Sequence, residues 1–143
     1  MLGLDVGDKT IGVAVSDGLG LTAQGLCTIR RTGYTKDFAR LRAIVDEYGA
    51  DRFVVGLPKN MDGSLGPQAD KVMLFVKRLK EAFGLPVTLM DERLTTAFAQ
   101  RTLIEGGVSR AKRKKVIDML AAQTILQLYL DKNRSAGARN APA

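Results

Sequence analysis

Apolar residues alternate from the first positions of the chain. Leu2, Leu4 and Val6 interleave with Met1, Gly3 and Asp5, and after a polar break Ile11, Val13 and Val15 resume the same period. A period of two predicts strands, so "MLGLDVGDKTIGVAVSD" reads as two strands joined by a tight turn at "GDKT". A third strand follows over "LGLTAQGLCTI", and the stretch from Arg30 to Tyr34, with its Gly33, is a turn. The period then changes. Phe38, Leu41, Ile44, Val45 and Tyr48 recur at helical spacing, which predicts an amphipathic helix from Thr35 to Tyr48 ended by Gly49. "DRFVVGL" is a buried strand, and the Gly- and Pro-rich "PKNMDGSLGP" leads into a second helix carrying Val72, Phe75, Val76, Leu79 and Phe83, ended by Gly84. "LPVTLM" is a short strand, "DERLTTAFAQRTLIEGG" a third helix, and "VSRAKRKKVIDMLAAQTILQLYLD" a basic stretch with a last helix.

The predicted order is βββαβαβαα. Three consecutive strands followed by strand–helix alternation imply an α/β fold with a mixed sheet, an antiparallel hairpin region joined to parallel strands with helices on both faces. The 143 residues make one domain, expected over residues 1–131, with 132–143 a disordered basic tail.

Composition narrows the chemistry. The chain has no His and one Cys, which removes His- or Cys-based zinc sites, Ser-His-Asp triads and Cys-His dyads. Catalysis is left to carboxylates, Lys, hydroxyls or an oxygen-ligated metal. Cys27, in an apolar stretch, reads as a small core residue. A net charge of +7, from 22 Lys and Arg against 15 Asp and Glu, favours a polyanionic partner such as nucleic acid. No secretion signal or membrane-spanning stretch is recognisable, so a cytoplasmic location is expected and no membrane partner.

Four acids at three places stand out. Asp5 lies within a strand, where Asp is depleted, and at its carboxyl end, where ligands gather in open sheets; the alternative is a turn Asp bonded to its own backbone. Asp91 and Glu92 leave another strand end. Adjacent strand residues point to opposite faces, so one of the two would look toward Asp5, unless both merely favour a helix N-terminus. Asp118 lies beside Ile125 and Tyr129 on a helical wheel, inside an apolar arc. Burying it there demands a cation, whereas pairing with Lys114 or Lys115 would leave it on the surface. Strand-end and helical carboxylates without His fit a hard-cation site for Mg²⁺ or Mn²⁺, able to support phosphodiester hydrolysis. Next to Asp118 runs "RAKRKK", where Arg110, Lys112, Arg113, Lys114 and Lys115 offer phosphate contacts or else form a solvated helix start. Lys9 and Arg93, beside the acids, join them as candidate nucleic-acid contacts.

Together, "GLDVGDKTIGVAVSD", "VVGLPKNMDGS", "DERLTT" and "SRAKRKKVIDMLAA" resemble the YqgF/RuvX family of nucleases, which have an RNase H-like fold, over residues 1 to about 131. The resemblance implies a bacterial enzyme hydrolysing phosphodiesters at the 5′ end of precursor 16S ribosomal RNA or in branched DNA, as monomer or homodimer. It matches the family's acids to Asp5, to Glu92 with Asp91 beside it, and to Asp118. Related resolvases carry the second acid at the end of the strand that here reads "FVVGLP", where none stands, so that ligand comes from "DER" or from Asp62. Two other readings compete: a phosphate-binding hairpin of the actin-like ATPase type, which needs a second domain, and a non-catalytic RNA-binding assembly factor.

Overall fold

The computed structural model describes residues 1–59, 62–91 and 110–140, the side chains of 110–115 and 134–140 excepted. β1 (Leu2–Val6), β2 (Thr10–Ser16) and β3 (Ala23–Arg30) come first, then α1 (Tyr34–Tyr48), β4 (Phe53–Leu57), α2 (Pro67–Phe83), β5 (Val87–Asp91) and α3 (Arg110–Asn140). The strands form one sheet in the order β3-β2-β1-β4-β5. β2 runs antiparallel to β1 and β3, while β4 and β5 run parallel to β1. This is the mixed sheet expected from the pattern, with helices on both faces. It also aligns the carboxyl ends of β1, β4 and β5 along one edge.

Alternation divides the sheet cleanly. Leu2, Leu4, Ile11, Val13, Phe53 and Val55 point to one face and pack against Leu41 of α1 and Val72, Phe75 and Leu79 of α2. Ala14, Ala23 and Val54 point to the other and pack against Ala122, Ile125, Leu126 and Tyr129 of α3. The α3 face is lined with small residues because the helix lies very close. A Cβ at Gly3 would stand 2.7 Å from Leu126 Cβ and 2.8 Å from the Ala122 carbonyl oxygen. At Gly12 it would overlap the carbonyl oxygen of Asp118. The helix therefore rests on backbone, which brings its polar residue 118 down to the sheet.

Most element boundaries shift by a residue or two from the sequence pattern, but β3 starts four residues later than predicted, at Ala23, because the exposed Leu19 and Leu21 belong to a turn held by Asp17, whose carboxylate accepts from Leu21 N and Thr22 Oγ1. The predicted helix after Asp91 lies outside the described residues. The larger difference is at the end of the chain. α3 continues through Asn140, across the segment expected as a disordered tail. Ala136, Ala138, Lys132, Arg134 and Arg139 are good helix formers and extend a helix already nucleated on the sheet.

Candidate active site

The two acids that broke the sequence pattern meet on one face. Leu4 and Val6 belong to the α1/α2 side, so Asp5 shares the opposite, α3 side with Gly3. Its cross-strand partner is Gly12. That glycine is the residue on which the Asp118 backbone rests, so Asp5 and Asp118 are neighbours across a position without a side chain. Asp118 is held in place by Thr10, whose Oγ1 donates to its Oδ2 at 2.7 Å. Thr10 sits at the start of β2, on the same face as Gly12. Both carboxylates are partly buried. The arrangement therefore offers hard oxygen donors at a water-accessible sheet edge.

The second acid of the expected set is treated differently. Asp91 follows the parity of Val87 and Leu89, which pack on the α1/α2 side, whereas Met90 packs with the α3 cluster. Asp91 therefore faces away from Asp5, and its Oδ2 lies 4.0 Å from Lys59 Nζ. Asp62 is exposed and folds back on its own loop, its Oδ1 accepting from Ser64 N at 2.9 Å and Ser64 Oγ at 2.6 Å. Glu92 and Arg93 lie outside the described residues. Among the described residues no three acids, thiols or imidazoles come together as a metal-binding group, so a complete ligand set needs a donor from elsewhere.

The basic stretch forms the first turns of α3. Asp118 lies over Gly12 and Ala122 over Gly3, so α3 runs away from the carboxyl edge of β1 as it proceeds. At about 1.5 Å rise per residue, the backbone of Lys115 back to Arg110 spans roughly 5–12 Å before Asp118, toward and past that edge. Lys9 is exposed in the β1–β2 turn at the same edge. Cationic positions thus approach the acids from the turn and from the helix start. Cys27 takes no part: it packs against the core, and burial pushes its thiol up, away from reactive thiolate.

Sequence reasoning missed two residues. Thr10 falls in the "GDKT" turn of the sequence pattern, yet it opens β2, and its bond to Asp118 spans 108 positions. Arg31 falls in the turn that the sequence predicts from Arg30 to Tyr34, yet its Nη1 donates to the Gly7 carbonyl at 2.8 Å.

Comparison with known proteins adds independent information. The sequence model of a family described as "RuvX: Holliday junction resolvase" matches residues 1–132. A protein of Thermoanaerobacter pseudethanolicus named "Putative pre-16S rRNA nuclease" is 61% identical over 136 residues, covering 94% of this chain and 98% of its own length. Proteins of the same name from Clostridioides difficile and Geobacillus kaustophilus are each 60% identical, over 92% and 93% of this chain and 93% and 98% of theirs. Among solved structures, Thermus thermophilus RuvC in complex with a Holliday junction substrate superimposes with a TM-score of 0.52 at 16% identity, over 94% of each chain. Fowlpox virus resolvase in complex with Holliday junction DNA gives 0.53 at 15% identity, over 93% of this chain and 99% of its own. At those identities the likeness is one of fold, which is RNase H-like.

Proposed function

The chain belongs to the RuvX family, and on that premise we propose that it is a metal-dependent nuclease that hydrolyses phosphodiester bonds at the 5′ end of precursor 16S rRNA. The observation that carries this reading is the pairing of Asp5 and Asp118 across Gly12 at the carboxyl edge of the parallel strands. The names of relatives at 60% identity and above supply the substrate.

The donor set fits a hard divalent cation such as Mg²⁺ or Mn²⁺, because it is built from carboxylate oxygens in a chain without His. Asp5 and Asp118 would hold it, and Glu92, the acid to which the family resemblance points, would be the third ligand, since Asp91 faces the other side of the sheet. Such an ion, when bound, lowers the pKa of water and offsets charge on the phosphate oxygens. The protein's own part is to orient. Thr10 fixes one carboxylate oxygen of Asp118, and the basic start of α3 with Lys9 and Arg93 holds the phosphate backbone without reading bases.

The test uses purified protein, a 16S precursor transcript with its 5′ extension and a four-way DNA junction, each with Mg²⁺ or with chelator. Cleavage of the transcript in Mg²⁺ only, and its loss in Asp5→Asn, supports the reading. Cleavage of the junction alone would favour the activity in the family's description, and binding of RNA without cleavage would favour an assembly factor.

The phosphate contacts make a separate prediction. Replacing Lys112, Arg113 and Lys114 together with Ala should weaken binding of all sequences alike and flatten the salt dependence by about 0.9 log units per lost duplex phosphate contact. Binding titrations across a salt series measure this, and an unchanged slope would make these residues a solvated helix start.

Asp118 can be tested without substrate. Asn keeps an oxygen for the Thr10 hydroxyl but removes a charge beside Asp5, so like-charge repulsion falls in the absence of metal. Asp118→Asn should melt at or above the wild-type temperature in chelator and gain less from Mg²⁺, since only a ligand bound to the native state stabilises it. A lower melting point in chelator with an unchanged Mg²⁺ increment would make Asp118 a structural residue.

A further inference from the structure

We propose that Arg31 is a positioning residue for the Asp5–Asp118 site, acting through the β1–β2 turn from the opposite face of the sheet; the proposal rests on the metal-dependent reading above. Arg31 grips that turn twice. Its backbone N–H donates to the Lys9 carbonyl at 2.8 Å, and its Nη1 donates to the Gly7 carbonyl at 2.8 Å. The turn itself is closed by Gly7 N donating to the Thr10 carbonyl at 2.8 Å. Asp5 lies two residues before this gripped segment. Thr10 follows directly after it and carries the bond to Asp118. Arg31 therefore holds, through its backbone at Lys9 and its guanidinium at Gly7, the piece of chain that sets the spacing between both acids.

Arg31 is itself immobilised. Its Nε stands 3.7 Å from Asp37 Oδ2, and the Asp37 side chain is 2% exposed. Its guanidinium carbon lies 5.5 Å from the ring centroids of both Tyr34 and Phe75. Asp37 Oδ1 accepts from Thr32 N at 3.0 Å, but its Oδ2 takes no hydrogen bond from the described residues and has only the Arg31 charge beside it. An ion pair with one partner buried is a poor source of stability, because desolvation offsets much of the attraction. What it supplies that an apolar pair would not is a rigid fork of donors aimed at a chosen carbonyl.

The fork gives the test. Lysine keeps a positive charge for Asp37 but lacks the planar fork whose Nε and Nη1 face Asp37 and the Gly7 carbonyl from separate nitrogens. In Arg31→Lys, the Mg²⁺ concentration giving half the maximal rise in melting temperature should increase by about tenfold, the lower end of what groups outside the ligand set contribute to metal affinity. The value for half-maximal cleavage should move with it, kcat at saturating Mg²⁺ should fall, and KM for RNA should stay put. The double variant Arg31→Met with Asp37→Asn, which leaves no buried charge, should show the same displacement. Mg²⁺ half-points within about twofold of wild type in both variants would overturn the proposal, since partners that orient metal ligands shift affinity by more than this. Failure of both to fold would assign the pair to the fold alone and overturn it as well. A wild-type protein with no response to Mg²⁺ would instead overturn the metal-dependent reading, and this proposal with it.

Discussion

Asp5→Asn should reduce cleavage by about a thousandfold or more, equivalent to about 4 kcal/mol of barrier, while RNA binding in chelator stays close to wild type. The expectation follows from where Asp5 stands. It is the strand residue that faces α3, level with Gly12 and hence with Asp118, and an amide there preserves shape while removing the charge that would hold a divalent ion. Binding should survive because the proposed phosphate contacts are cations on other elements, at the start of α3 and in the β1–β2 turn. Side-by-side single-turnover cleavage and equilibrium binding measure the split. Rigorously purified Asp5→Asn that cut at the wild-type rate would end the nuclease reading as framed here, and a parallel loss of binding would make Asp5 a structural residue.

Much of the architecture was legible in the sequence, for a physical reason. A sheet covered on both faces must alternate the residues it sends to each, and Leu2, Leu4 and Val6 against Gly3 and Asp5 display that alternation directly. Asp5 and Asp118 were legible as exceptions, the one a carboxylate within a strand, where Asp is depleted, the other a carboxylate inside an apolar helical arc. The side taken by Asp91 was not, because it depends on the parity of β5 relative to its neighbours, and a one-residue change of register inverts the answer. Nor were the roles of Thr10 and Arg31. Their partners lie 108 and 24 positions away in the chain, and contacts of that kind leave no period to read. Gly3 and Gly12 likewise look like weak strand residues until α3 is laid across them.

Gly12 is where fold and site depend on the same missing atom, and Gly12→Ala should be the most damaging small substitution in the sheet. In an unobstructed strand, Gly to Ala stabilises by roughly 0.4–1 kcal/mol through the unfolded chain, and Gly12 is not among the glycines with positive φ, so its backbone accepts Ala. The added Cβ, however, would overlap the Asp118 carbonyl oxygen, which belongs to helix backbone and cannot rotate away. The helix must lift. Overpacking of this severity should cost about 3 kcal/mol, or about 10 °C in melting temperature for a domain of this size. Because the same displacement carries Asp118 away from Asp5, cleavage should fall by about a hundredfold, the scale expected of a shift near 1 Å in a catalytic group. Gly25→Ala provides the internal control. Its Cβ would meet Met119 Cγ at 2.6 Å and Sδ at 3.2 Å, side-chain atoms of a flexible residue that can swing aside, so the loss should stay below about 1 kcal/mol with cleavage nearly intact. Thermal melts and cleavage rates of the two variants decide the matter: if Gly12→Ala melts and cuts like Gly25→Ala, then α3 does not rest on Gly12, and the juxtaposition of Asp5 with Asp118 that carries the proposed function falls with it.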